Sequence, residues 1–164
     1  MTVERKRQAF HGFIMFYAFI AVFSLLLLFV ARIVIQNRRF PVHLGYGQSG
    51  FSELDGKPNW VSSQTQHRNK RVAPLPFKGS LSDTQEAVRT ALTQLGGNEI
   101  LSQTDSFWHV VFTTPTLRFH DDLELYFDQD TALIQYRSKS RSGTSDLGLN
   151  RRRYEAFSSI YTAL

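Results

Sequence analysis

The chain has 164 residues, 42% of them apolar and 20% charged, which suits one ordinary domain plus an appendage and excludes a disordered chain. It contains no cysteine, so disulfides, thiolate metal sites, a cysteine nucleophile and a lipid-modified N-terminal cysteine are excluded. The formal charge is +5, and all of the excess lies in residues 1–39, where Arg5, Lys6, Arg7, Arg32, Arg38 and Arg39 stand against Glu4 alone.

Residues 40–164 carry equal numbers of basic and acidic side chains. The basicity therefore flanks a hydrophobic segment and does not describe a nucleic-acid-binding face, and no nucleic-acid partner is expected. Residues 1–11 read as a short basic tail. Residues 12–31 contain no charged side chain; at about 1.5 Å per residue, a helix of that length spans about 30 Å, one hydrocarbon core. Apolar character continues through Ile33, Val34 and Ile35.

No small-residue cleavage site follows, and the run exceeds a signal-peptide core. Residues 12–35 are expected to be an uncleaved, single-pass transmembrane anchor. The competing reading is a buried core helix, but a domain of this size could hardly cover so long an apolar one. The positive-inside balance of the two flanks is nearly even. A short basic N-tail retained inside places residues 40–164 on the periplasmic side of the inner (cytoplasmic) membrane.

Residues 36–56 are expected to be a linker, with Pro41, Gly45, Gly47, Gly50 and Gly56 and no sustained periodicity. The soluble domain is expected over 57–164. Residues 59–66 are a polar stretch in which Trp60 and Val61 look buried, and the prolines in 74–77 keep that segment extended. A helix follows. Ser80 or Ser82 can cap it, Asp83 and Glu86 lie in its first turn, Ala87, Val88, Ala91, Leu92 and Leu95 form one face, and Gly96-Gly97 ends it.

The period then changes to two. Strands are expected at 98–104 and 107–114, then at 122–128 and 132–139 as a hairpin turning at 129–131. Pairing Phe127 with Ala132 would set Asp122 opposite Arg137 and Glu124 opposite Gln135. A final helix begins near Asn150. The expected fold is α+β: a transmembrane helix, then three to four mainly antiparallel strands with two helices packed on the sheet.

Three segments carry a family resemblance: NWVSSQ (59–64), FTTPTLRFHDDLELYFD (112–128) and YRSKSRSGTSDLGLNRRR (136–153). Together they resemble the bacterial and plastid family called domain of unknown function 1499, over roughly 57–161. The third is the most specific, with Arg137-Ser138, Ser140-Arg141, Gly143, Ser145-Asp146-Leu147-Gly148 and Asn150-Arg151 in its pattern. Where many members have cysteine before Val-Ser-Ser, this chain has Trp60, so no thiol role transfers. The resemblance implies a domain boundary and a membrane-associated setting, and no chemistry.

Arg151, Arg152 and Arg153 fall in the first turn of the last helix, where the dipole disfavours cations. Together with free backbone N–H groups and the preceding loop they form a candidate anion site. Its polar set would be Arg137, Arg141, Ser145, Asp146, Asn150 and Arg151. The structural alternative is an internal network in which Asp146 caps the loop and pairs with Arg151 or Arg141. Asp121, Asp122, Glu124, Asp128 and Asp130 form an acidic stripe that suits a divalent ion, acid–base work or cross-strand ion pairs.

Ser63 beside Ser62 lacks a nucleophile-elbow motif, and His67 or His109 could serve as its base only by folding. The five histidines (His11, His43, His67, His109 and His120) have no metal-ligand spacing, and neither metal nor cofactor is expected. Trp108, Phe112, Tyr126 and Tyr136 suit core more than an acyl pocket. The expected function is a membrane-tethered binding or accessory module of the cell envelope. It would recognise a protein partner or an anionic amphiphile through the 138–153 loop and helix start. The alternative is a hydrolase or acid–base enzyme using Ser63, His109 or Asp121/Asp122.

Overall fold

The structure is a computed structural model. It describes the backbone of residues 3–42, 44–52, 54 and 56–164, and side chains from residue 10 onward. The side chains of Arg5, Lys6 and Arg7, and His43, lie outside the described residues. The chain divides into two compact units, residues 1–36 and 37–164.

Helix α1 is Val3–Arg38. Its section Phe10–Arg38 is long and apolar enough to cross a membrane and lies near the N-terminus. The large apolar side chains of this section from Phe13 to Ile35 are exposed, except for the half-buried Ile33.

The second unit is α+β. Its elements are β1 (Tyr46–Gly47), β2 (Gly50–Phe51), β3 (Trp60–Ser62), β4 (Leu75–Pro76), α2 (Leu81–Leu95), β5 (Asn98–Gln103), β6 (Phe107–Thr113), β7 (His120–Asp128), β8 (Leu133–Ser140) and α3 (Leu149–Ala163). β1 and β2 form a separate ribbon. Among the described residues, the main sheet has six strands in the order β3-β8-β7-β6-β5, with β4 also pairing β8. All its named pairs are antiparallel. β3 and β4 extend the expected sheet. At three and two residues they are too short to show a period, and they are strands because β8 offers an unpaired edge.

Side-chain alternation splits the sheet into two unlike faces. One carries Trp108, Val110, Leu123, Leu125, Ile134 and Tyr136, which join one core with α2 and α3. α2 buries Thr84, Val88, Ala91 and Leu92, the helical spacing that puts four side chains on one stripe. Ser80 starts it with a capping box: Ser80 Oγ accepts from Asp83 N at 3.1 Å and Ser80 N donates to the Asp83 carboxylate at 3.4 Å. α3 contributes Phe157 and Tyr161, both fully buried.

The β7–β8 register differs from the expected one by two residues. Phe127 pairs with Ile134, Glu124 with Arg137, and Asp122 with Lys139. The turn is longer than sequence reading allowed, since Asp128 pairs with Leu133 and Ala132 takes a left-handed φ of 52°. Asp128 Oδ1 holds this turn by accepting from Asp130 N and Thr131 N. A shift of two preserves which side chains share a face, so the ionic pairing survives with its partners exchanged.

The stretch 36–56, expected as a linker, begins to pack at Asn37. Asn37 is buried and bonds to Arg118 O and His120 N. Tyr46 stacks on Tyr126 at 3.5 Å between ring centroids, and Gly45 N donates to Glu124 Oε1 at 2.8 Å. Gly50 has a φ of +94°, and a Cβ there would displace the Gln64 side-chain amide, which accepts from Phe51 N. Glycine here satisfies a left-handed turn that other residues rarely adopt.

Candidate functional site

The second face of the sheet is ionic, yet it is buried. Glu124 and Arg137 are opposite each other in register and form a two-pronged pair, Nε to Oε2 at 2.6 Å and Nη2 to Oε1 at 2.8 Å. Arg137 Nη1 also donates to Ser52 O at 2.6 Å, and Phe51 covers the guanidinium plane at 4.6 Å. One strand position away on the same face, Asp122 takes a second fork from Arg141, 2.8 and 2.7 Å, and a 2.7 Å hydrogen bond with His109 Nε2. Phe40 lies edge-on to the His109 ring.

Burial alone would raise the Asp122 pKa. The hydrogen bonds from Arg141 and His109 outweigh it and hold the carboxyl below its usual 3.8. His120, at the start of β7, is pushed below 6.5, first by burial and then by the Arg141 charge.

Asp121 points to the opposite face. It pairs with Arg153 of α3 at 2.7 Å, and the Arg153 guanidinium lies 4.4 Å over Phe112. Asn150 sits beside this pair, fully buried. Its Oδ1 accepts from Ser138 Oγ and from Arg153 Nη1, and its Nδ2 reaches Asn59 O, Ser140 Oγ and Asp146 Oδ2. Asp146 accepts from Gly148 N and Asn150 N. It therefore supplies the negative end that the first turn of α3 needs, while Gly148 caps the backbone at a φ of 79°.

Of the expected site residues, Arg137, Arg141, Asp146 and Asn150 are thus structural members of two networks on opposite faces of the sheet. Asp146 pairs with neither Arg151 nor Arg141 in the described contacts. Arg151 instead donates to Asn69 O and Arg71 O, both at 3.0 Å, and Arg152 to Leu147 O at 2.8 Å. Ser145 is exposed and accepts from Leu147 N. What the loop turns outward is Leu147, 85% exposed and held at a φ of 51°. Apolar character alone gave no signal for it, because a single leucine among polar neighbours reads as ordinary loop.

Of the catalytic candidates only His109 and Asp122 meet, and they do so in a buried network. Ser63 Oγ donates to Gln135 Oε1 and accepts from Tyr136 N. His109 is buried against Asp122, and Asp121 and Asp122 face opposite sides. Among the described residues no group of His, Asp or Glu has the geometry of a metal site. One small cleft of about 170 Å³ opens beside β3, between Phe51 and His67, with Arg137 at its floor.

Among known families, the sequence model described as "Protein of unknown function (DUF1499)" matches residues 52–160. The chain belongs to this family. The match begins at Ser52, the residue whose carbonyl holds Arg137, and runs to Ile160 in α3. Both networks consequently lie inside the DUF1499 region, while Asn37, Phe40 and Tyr46 precede it. No curated protein matches the chain.

Proposed function

We propose that this chain is a single-pass, membrane-tethered binding or accessory module of the cell envelope. Its helix sits in the inner membrane and its domain on the periplasmic side, and it recognises a protein partner or an anionic amphiphile through the outward part of the 138–153 loop. The observation that carries this reading is Leu147. A non-glycine residue in the left-handed region is costly, and an isolated apolar side chain gains nothing from solvent. Yet Asp146, Asn150 and Arg152 all hydrogen-bond within this loop and keep Leu147 at its tip. Arg152 is exposed beside it. Ser145 shapes the turn by accepting from Leu147 N, and Arg141 anchors the start of the loop on Asp122.

Against the hydrolase or acid–base alternative stands the engagement of these groups in three structural contacts: Ser63 with Gln135 and Tyr136, Asp121 with Arg153, and the buried His109–Asp122 pair with Arg141. A general base must reach a reacting proton within hydrogen-bond distance; His109 and Asp122 meet, but both are buried and Asp122 is also held by Arg141, while the Ser63 hydroxyl is bonded to Gln135 and Tyr136.

The test is native mass spectrometry of the full chain extracted into lipid nanodiscs, beside Leu147→Asp. A protein or lipid retained by the parent and released by the variant supports the proposal and identifies the ligand class. The same ligand-free species from both would overturn it.

A further inference from the structure

The two ends of the sheet expose different chemistry. Three segments meet at one end: residues 37–42, the β6–β7 turn 114–119, and the β8–α3 loop 141–149. Strand register sets the last two side by side, with Thr113 paired to His120 and Asp121 to Ser140. Arg141 N donates to His120 O. Asn37 ties the first segment to them, donating to Arg118 O and accepting from His120 N, both at 2.7 Å.

This end exposes Phe40, Val42, Leu117 and Leu147, each at least 64% accessible. The exposed charges on the three segments are Arg38, Arg39 and Arg118, with Arg152 adjoining Leu147. The acids nearby are already engaged: Asp121 by Arg153, Asp122 by Arg141 and His109, Asp146 by the start of α3. Two tips hold non-glycine residues in the left-handed region, Arg118 at 54° and Leu147 at 51°. The two turns at the other end, 104–106 and 129–132, expose Asp105 and Asp130 and no large apolar side chain.

Position along the chain supplies the partner. Asn37 is two residues beyond Ile35, the last apolar residue of the run. Two residues reach at most about 7 Å. With the apolar run in the bilayer, the domain therefore begins within a few residues of the membrane surface. Apolar side chains projecting beside guanidiniums suit this depth: the former enter between headgroups and the latter meet their phosphates.

We infer that this end of the domain docks on the surface of the membrane that anchors it. Leu117 and Leu147 insert among anionic headgroups, and Arg38, Arg39, Arg118 and Arg152 contact the phosphates. The inference rests on the tethered reading above and names the amphiphile: the bilayer's own anionic lipids.

The absence of cysteine allows a clean test. Single cysteines at Val22, Thr116, Thr144 and Asp130 in the full chain are labelled with an environment-sensitive fluorophore. Each protein is reconstituted into vesicles of phosphatidylethanolamine and phosphatidylglycerol carrying nitroxide lipids. Thr116→Cys and Thr144→Cys leave both leucines and all four arginines in place. Strong quenching is expected at position 22 by acyl-chain nitroxides and at 116 and 144 by headgroup nitroxides, severalfold above position 130. Adding Leu117→Ser and Leu147→Ser, or replacing the lipid with phosphatidylcholine, should remove most of the signal at 116 and 144.

Quenching at 22 with none at 116 or 144 would overturn the docking inference and leave the tether standing. A surface that takes a protein instead would give that result, since the vesicles contain no other protein. No quenching at 22 would overturn the tether and the inference together. Signals at 116 and 144 that are indifferent to phosphatidylglycerol would overturn the anionic partner.

Discussion

The two faces of the sheet are both buried, by opposite means. Leu123, Leu125, Ile134 and Tyr136 lie under α2 and α3 and need only be apolar and of suitable volume. Asp122, Glu124, His109 and Arg137 lie on the other face, and each is at most 4% accessible. Their cover comes from segments with little regular structure, including Phe40, Tyr46 and Phe51. The first face tolerates approximation. On the second, every charge must find its partner, because desolvation is repaid only by good geometry and complete hydrogen bonding. The same sheet thus carries one face that stabilises broadly and one that is sensitive to single changes.

Breaking the ionic face should produce the largest effect. Glu124→Ala leaves the Arg137 guanidinium buried without its carboxylate and should cost about 3–5 kcal/mol, read as a lowered denaturation midpoint of the full protein in detergent. Glu124→Leu with Arg137→Met should recover part of that loss, because the stranded charge is gone. A single variant costing no more than a surface substitution would erase the distinction between the faces.

On the apolar face, Leu123→Ala should cost about 3 kcal/mol through lost burial and the cavity left behind. Its dependence on pH should be flat, which separates it from the ionic face. A smaller change in the same layer, Ser80→Ala, removes the capping box of α2 and should cost about 1 kcal/mol. Helix amide exchange at residues 81–84 should report it before global unfolding does.

The pH profile sharpens the comparison most finely. Asp122 has a folded pKa below its ordinary 3.8, so its contribution is fully present above that value and is lost as pH falls through the lower folded one. His120, also depressed, favours the neutral ring in the fold. Below its ordinary 6.5 the unfolded chain takes up the proton first, so stability declines as pH drops from 6.5 through the folded value. A shallow decline from neutrality and a steeper one under pH 4 are expected. Asp122→Asn should flatten the steeper one, and unfolding curves across pH measure both.

Much of this was legible in residue order. The helix over 81–95 announced itself through Ser80, Asp83 and the stripe Val88, Ala91, Leu92, since capping and periodicity are local. Leu123, Leu125 and Phe127 alternate with Asp122, Glu124 and Tyr126, and alternation marks a strand. The acidic side of that strand read first as paired or solvated and second as metal-binding or catalytic. Which basic residue meets Glu124 depends on the length of the turn at 129–132, and a two-residue error in that turn exchanged Arg137 for Gln135. The candidate loop fared similarly. Its arginines were conspicuous as charges, but Arg153 bonds Asp121 and Arg151 bonds two carbonyls far away in sequence.

The sequence by itself determined the apolar N-terminal run, the α+β class, the two helices packed on the sheet and the membership of a family without an assigned chemistry. These rest on composition, spacing and short-range capping, which act over a few residues. Tertiary structure alone decided that the stretch after residue 36 covers an ionic face, that Arg137, Arg141 and Arg153 are paired with buried carboxylates, and that Leu117 and Leu147 stand at the end where the chain enters the domain. Pairing of distant charges and convergence of separate loops depend on register and closure, and no local window of residues encodes either.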